Sequence, residues 1–317
     1  MIGGAVMKNN IEGNALERDL IELIDEKAAY ECADTALLFS SSYIKQLNEH
    51  ISGVHSLTNK EIANKVSYLV GCLTITLDTA MPGLEFLRAR LCEEGQFEYA
   101  HELSYIKDTT ASFPKVGRLN QAGQSIFYAA IMRKKGDTAL EVVLSEAGAK
   151  DLDNLNIICS YQKANCDLNL RIIGIWDQVR RNERPYYLSE AIFDYYKKAK
   201  EYMGKQFDSN LLMAYELTDR FFADLLSRKG SEPLYQVTSA ISSVFLSGST
   251  CEGVLYSSVE AKGEPVVALK PQAVDDKLEH QWVRDVTVEK CFGYEFFQYK
   301  TQAKTSEIDS EDGKLVW

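Results

Sequence analysis

Gly117-Arg118-Leu119-Asn120-Gln121-Ala122-Gly123-Gln124-Ser125-Ile126-Phe127-Tyr128-Ala129-Ala130 begins as a polar turn flanked by glycines and runs straight into an apolar strand. Glycine lets backbone approach a ligand closely, and the planar donor fork of Arg118 matches phosphate oxygens. Taken alone, the stretch also fits a loop arginine paired with a surface carboxylate, the commoner case.

Working outward, thirteen positions after Tyr128 comes Glu141, a single carboxylate inside the apolar run Thr138 to Leu144. A charge there is costly unless it is paired or useful. It reads either as the solvent face of an amphipathic element or as a carboxylate that steadies positive charge on a sugar carbon as a leaving group departs. Upstream, Phe86-Leu87-Arg88-Ala89-Arg90-Leu91 alternates apolar and cationic residues, so a strand would present both arginines on one face. That pattern suits an anion site or an edge strand guarded by charge. Downstream, Glu252-Gly253-Val254-Leu255-Tyr256-Ser257-Ser258 ends a strand with two hydroxyls, which are either turn residues or ligand contacts.

In this order the four elements resemble the RES family, whose pattern is an aromatic-x-Arg strand, Gly-Arg-x-Asn with a following apolar-Tyr-Ala, Ala-x-x-Glu, and Gly-apolar-x-Tyr-Pro-Ser. The matching stretches are Phe86 to Arg90, Gly117 to Ala130, Ala139 to Val142, and Gly253 to Ser258, with Ser257 in place of the proline. The resemblance implies an α+β fold with an ADP-ribosyltransferase-like split antiparallel sheet. It implies that NAD is a substrate rather than a resident cofactor, and that its nicotinamide–ribose bond is broken. Glu141 would act at the ribose, with Arg88 and Ser258 in the catalytic set; Arg118, Tyr128, Arg90, Asn120 and Ser257 would contact NAD, and no metal is implied. Water, phosphate or a protein side chain could accept the ribose, giving an NAD hydrolase, an NAD phosphorylase or an ADP-ribosyltransferase. The pattern also fits a silent module that binds NAD or ADP-ribose. The family further implies the toxin of a toxin–antitoxin pair, with a helix-turn-helix antitoxin as partner; a homo-oligomer is left open.

Organisation along the chain fits this frame. Apolar residues recur at helical spacing from Leu16 to about Met81, for example Leu20, Ile24 and Ala28, then Ile62, Val66, Leu69 and Leu73. The turn signal Met81-Pro82-Gly83 divides a helical N-terminal region, 1–82, from a catalytic region, 83–317. A helical insertion is expected at about 149–230, with Ser189 as a helix N-cap, and it could cap the cleft, form a partner surface or enlarge the core. A short helix near Thr238 to Leu246 leads to strands at Gly253 to Tyr256, Val266 to Leu269 and Val283 to Val288, and the stretch from Thr301 is expected to be loosely held.

The 35 Lys+Arg against 46 Asp+Glu give a formal charge of −11, which argues against direct nucleic-acid binding. No signal peptide pattern is present, and the apolar run Tyr68 to Met81 falls short of the roughly 20 residues that a membrane helix needs. Seven scattered cysteines with no CxxC pair suit a reducing cytoplasm and no structural zinc. The sequence contains neither a GxGxxG nor a GKS/T element, and His50 and His55 read as surface residues, with His101 and His280 unpaired.

Overall fold

The computed structural model describes residues 3–30, 32–75, 78–93, 95–110, 112–132, 139–248, 250–261 and 263–317, with side chains from Leu16 onward except at position 30. Gly136, Thr138 and the Thr76-Leu77 part of the apolar run therefore lie outside the described residues. The chain is mixed α+β. It opens with three helices, α1 (Gly3–Tyr30), α2 (Ala33–Ile51) and α3 (Asn59–Cys72). Leu20 and Ile24 of α1 and Ile62, Val66 and Leu69 of α3 are buried, as the periodicity predicts. Thr58 starts α3 with a capping box: its hydroxyl accepts from the Glu61 amide while Glu61 accepts from the Thr58 amide.

Among the described residues nine strands follow in one sheet. They are β1 (Thr79–Pro82), β2 (Glu85–Leu91), β3 (Phe127–Ile131), β4 (Asn154–Gln162), β5 (Asp167–Ile172), β6 (Gly253–Ser257), β7 (Pro265–Leu269), β8 (Leu278–Gly293) and β9 (Phe296–Thr305). Their order is β1-β5-β6-β7-β3-β2-β4-β8-β9, antiparallel throughout except for β5 beside β6. Helix α4 (Ala139–Glu146) packs on β2 and β3. Helices α5 (Ile175–Arg181), α6 (Glu190–Gln206), α7 (Ser209–Ser227) and α8 (Glu232–Phe245) form a block against which the N-terminal helices lie, α1 along α6, α2 along α7 and α3 along α8. A short α9 (Pro271–Lys277) precedes β8.

One junction in this sheet matters most. β2 pairs with β4 along its whole length, yet with β3 only at Phe86–Ile131 and Leu87–Ala130. Beyond Leu87 the two strands part, and the sheet divides into a β1-β5-β6-β7-β3 half and a β2-β4-β8-β9 half. Arg88 is the first residue past the split.

Several expectations need correction. β2 lies in the interior of the sheet order, so Arg88 and Arg90 do not guard an outer edge; they stand where β2 has left β3 and line the cleft that opens there. Residues 79–82 form a strand rather than the end of a helical region: β1 pairs with β5, and Gly83, at φ +65°, makes the turn into β2. The first part of the expected insertion is also strand. Leu155, Ile157, Ile158 and Cys159 of β4 are all fully buried, and a strand covered on both faces loses the alternation that would betray it. Leu168, Leu170 and Ile172 of β5 do alternate. The helical part is thus confined to 175–227, and there Ser189 caps α6 as expected, its hydroxyl accepting from the Ile192 amide at 3.3 Å. The C-terminal stretch is held rather than loose: residues 301–305 belong to β9, Leu315 is buried with its amide donating to Glu98 O at 2.8 Å, and the Trp317 indole donates to Phe97 O. His50 is buried, its Nδ1 accepting from the Leu57 amide at 3.1 Å and its Nε2 2.9 Å from Gln236 Oε1. Among the described residues, no helix is long and apolar enough to cross a membrane.

Candidate active-site cleft

Where β2 and β3 part, a cleft of about 570 Å³ opens, within the range of roughly 300–1,000 Å³ usual for small-molecule sites. Arg88 and Arg90 of β2, Arg118 of the following turn and Tyr128 of β3 line it, together with Glu146, Tyr235, Tyr256 and Glu260. Tyr256 is buried, and its hydroxyl lies within electrostatic reach of Tyr128, Glu146, Arg118 and Tyr235, so these groups share one space. Burial pushes the pKa of Tyr128 and of Tyr256 upward, which keeps both phenols protonated at neutral pH.

The three arginines are held by carbonyl oxygens. Arg88 Nη1 reaches across the split to Tyr128 O at 2.8 Å, and its Nε donates to Leu103 O at 3.1 Å. Arg90 Nη1 donates to Glu102 O. Arg118 Nη1 donates to Leu226 O at 3.1 Å and Arg228 O at 2.9 Å, at the end of α7. Among the described residues none of the three forms an ion pair with a carboxylate. Burial, with the charge of Arg90 alongside, lowers the Arg88 pKa to about 10, still well above neutrality, so the cation persists. Three cations gathered in one cleft and oriented by carbonyls, with the charges of Glu146 near Arg118 and Glu102 near Arg90 but no ion pair among the described residues, suit an anion.

The turn that carries Arg118 is tightly knit. The Tyr128 hydroxyl accepts from the Leu119 amide at 2.9 Å and donates to Asn120 Oδ1 at 2.9 Å. Asn120 Nδ2 donates to Lys115 O and Gln121 O, and the Ser242 hydroxyl donates to Leu119 O at 2.6 Å. A Cβ on Gly117 would lie 2.4 Å from Asn120 Oδ1, so this position needs glycine. Asn120 is buried inside the turn and does not line the cleft. It shapes the loop, and Tyr128 joins the loop to the cleft wall.

Glu141 is placed differently from Arg88, Arg118 and Tyr128. On α4 it is Val143, Glu146 and Ala147 that line the cleft, and Glu141, two residues before Val143, is rotated by about 200° from it at 100° per residue. Glu141 is half-buried, and its Oε2 is enclosed without a hydrogen-bond partner among the described residues. Ser258 lies behind the cleft wall: its hydroxyl donates to Glu146 Oε1 and accepts from the Ala261 amide at 2.8 Å. Ser257, the last residue of β6, is half-buried and outside the lining. Burial raises the Glu146 pKa, while the Ser258 hydrogen bond and the Arg118 charge pull it down.

Glu146 and Glu260 carried no distinguishing mark in the sequence. Glu146 stands next to the helix-ending Ala147-Gly148 and reads as a solvated terminal carboxylate. Gly230 was the available signal for Tyr235: a Cβ there would sit 1.9 Å from the Tyr235 hydroxyl oxygen, so the ring rests on the glycine. No family model matches the chain, and no curated protein or solved structure shows significant similarity to it.

Proposed function

We propose that the cleft takes NAD as a substrate and breaks its nicotinamide–ribose bond, as the resemblance to the RES family implies. The observation that carries this reading is the convergence of Arg88, Arg90 and Arg118, in no ion pair with a carboxylate among the described residues, on one cleft that also holds tyrosines. A diphosphate meets the guanidiniums, and Tyr128, Tyr235 and Tyr256 offer flat surfaces for rings. The parting of β2 and β3 is in keeping with the split sheet of an ADP-ribosyltransferase-like fold.

Nicotinamide is a cationic leaving group, so its departure moves positive charge onto the ribose. A carboxylate near that carbon lowers the barrier because the interaction strengthens towards the transition state. The resemblance assigns this part to Glu141; the cleft lining presents Glu146, braced by Ser258. Hydrolysis or phosphorolysis is the preferred outcome, with transfer to a protein side chain as the alternative. As an NAD-depleting enzyme the chain would act as a toxin held in check by a helix-turn-helix antitoxin. The position of Glu141 favours a second reading, a module that binds NAD or ADP-ribose without turnover.

Incubating the purified chain with NAD, with and without phosphate, and resolving the products tests these readings together. Free nicotinamide is expected, with ADP-ribose as co-product in water alone and a phosphorylated ADP-ribose if phosphate is the acceptor. Release should fall in the Glu141→Ala or the Glu146→Gln variant. Intact NAD after incubation with a folded sample that still binds it would leave only the binding module.

A further inference from the structure

The cleft is charged differently on its two sides. β2 and the 117–120 turn bring the cations Arg88, Arg90 and Arg118, while the end of α4 and the turn after β6 bring the carboxylates Glu146 and Glu260. Glu146 is fixed in place. The Ser258 hydroxyl holds Oε1, the Ala261 amide holds that hydroxyl, and the Ser258 amide donates to Glu264 O at 2.7 Å. Keeping this carboxylate partly desolvated, with Glu260 near it, is unfavourable, and burial does raise its pKa. Arg118 and the Glu260 backbone offset part of that cost, and Glu146, braced at the cleft wall and open to the cleft, is placed to meet a positively charged group that arrives with the ligand.

We infer that Glu146, assisted by Glu260, is the specificity group that receives the cationic ring of the substrate, while the three guanidiniums receive its diphosphate. This rests on the reading of the cleft as an NAD site. Oxidised NAD carries a positive nicotinamide; NADH and ADP-ribose keep the diphosphate and lack that charge. Selection and chemistry then use the same carboxylate. When the bond from C1′ to the ring nitrogen breaks, the electron pair leaves with nicotinamide, which becomes neutral, and the positive charge passes to C1′. In hydrolysis a water oxygen bonds to C1′ and its proton goes to solvent. The Glu146 carboxylate faces positive charge at each stage, so ring recognition is not lost as the reaction proceeds.

The test is calorimetric binding to the full chain of carba-NAD, which keeps the cationic nicotinamide and resists cleavage, alongside NADH and ADP-ribose. Glu146→Gln keeps an oxygen for the Ser258 hydroxyl, and a thermal melt checks that the variant is folded. The native chain should bind carba-NAD at least about tenfold more tightly than the other two. In Glu146→Gln the three affinities should converge to within about twofold, with ADP-ribose binding unchanged or tighter. A preference that survives Glu146→Gln, or native binding of all three without preference, overturns the inference and leaves the NAD site standing. Failure of the folded native chain to bind any of them overturns the NAD reading and the inference with it.

Discussion

Arg118 donates from Nη1 to the carbonyl oxygen of Arg228 at 2.9 Å, so a cation of the cleft is moored on the residue that ends α7. Leu226 O receives a second bond from the same nitrogen. The end of a helix is rich in unpaired carbonyls and carries partial negative charge, which orients a guanidinium well. Arg228 in turn donates to Asn48 of α2 at 2.8 Å. A continuous run of bonds therefore links the N-terminal helices to the cleft.

Arg118→Ala should accordingly harm two properties at once. Removing the charged donor leaves helix-end carbonyls unpaired and is expected to cost about 1–3 kcal/mol in urea denaturation. NAD binding should weaken as well. Arg118→Lys restores a charge but not the fork, so it should recover part of the stability and little of the binding. Full binding by the lysine variant would show that only charge is needed.

Gly230→Ala should reach the cleft without unfolding the chain. The added Cβ would stand 1.9 Å from the Tyr235 hydroxyl oxygen and 2.3 Å from its ring, so the ring must move. That ring lies over the Arg118 guanidinium at 5.9 Å. The expected result is an increase in KM for NAD with a melting temperature close to native. Combined with Tyr235→Ala, the glycine substitution should add nothing further, because the residue it displaces is gone. Additive losses in the double variant would rule out this route.

Parts of this arrangement were legible in the sequence for definite reasons. The helical spacing of Leu20 and Ile24 and the cap at Ser189 follow from local geometry, and β3 and β7 announce themselves as apolar runs after turns. The alternation around Arg88 correctly placed two cations in one strand, and Gly117 marked the turn beside Arg118, whereas Asn120, expected to contact NAD, is spent on the turn's own hydrogen bonds. β4 was missed because burial on both faces erased its period. Glu146 was missed because its importance comes from Ser258, 112 residues away, and no local pattern records such a contact. The splitting of β2 from β3 is likewise a property of the assembled sheet.

Tyr128→Phe tests how the arginine turn is held. Its hydroxyl serves both the Leu119 amide and the Asn120 side chain, and Leu119 is fully buried. Phenylalanine keeps the ring but strands the amide, for an expected loss of about 1–3 kcal/mol in stability. Asn120→Ala should act on the same network, and the two losses should sum to less than their separate values. Hydrogen exchange at the Leu119 amide should accelerate in both variants. An unchanged rate in Tyr128→Phe would mean that the turn does not depend on the phenol.

Two buried groups away from the cleft should give stability opposite pH dependences. Burial, with the Asp177 charge nearby, raises the Asp219 pKa to about 7, above the unfolded value of about 4. The folded state therefore holds this proton more tightly, and the associated stability is present below about pH 4 and lost as pH rises through 7. His280 behaves in the reverse sense. Burial and then the Lys107 charge lower its pKa to about 4, against about 6.5 unfolded, while Nδ1 lies 2.8 Å from the Ser160 hydroxyl. Its contribution is present above about pH 6.5 and lost as pH falls through 4. Between about pH 4 and 6.5 the two slopes are opposite in sign and largely cancel, so in urea denaturation from pH 4.5 to 8 these two groups together should change stability little. Asp219→Asn should unmask the His280 contribution, so that stability rises from pH 4.5 to about 6.5, and His280→Gln should unmask the Asp219 contribution, so that stability falls towards pH 7; an Asp219→Asn variant whose stability does not rise relative to native over this range would contradict the assignment.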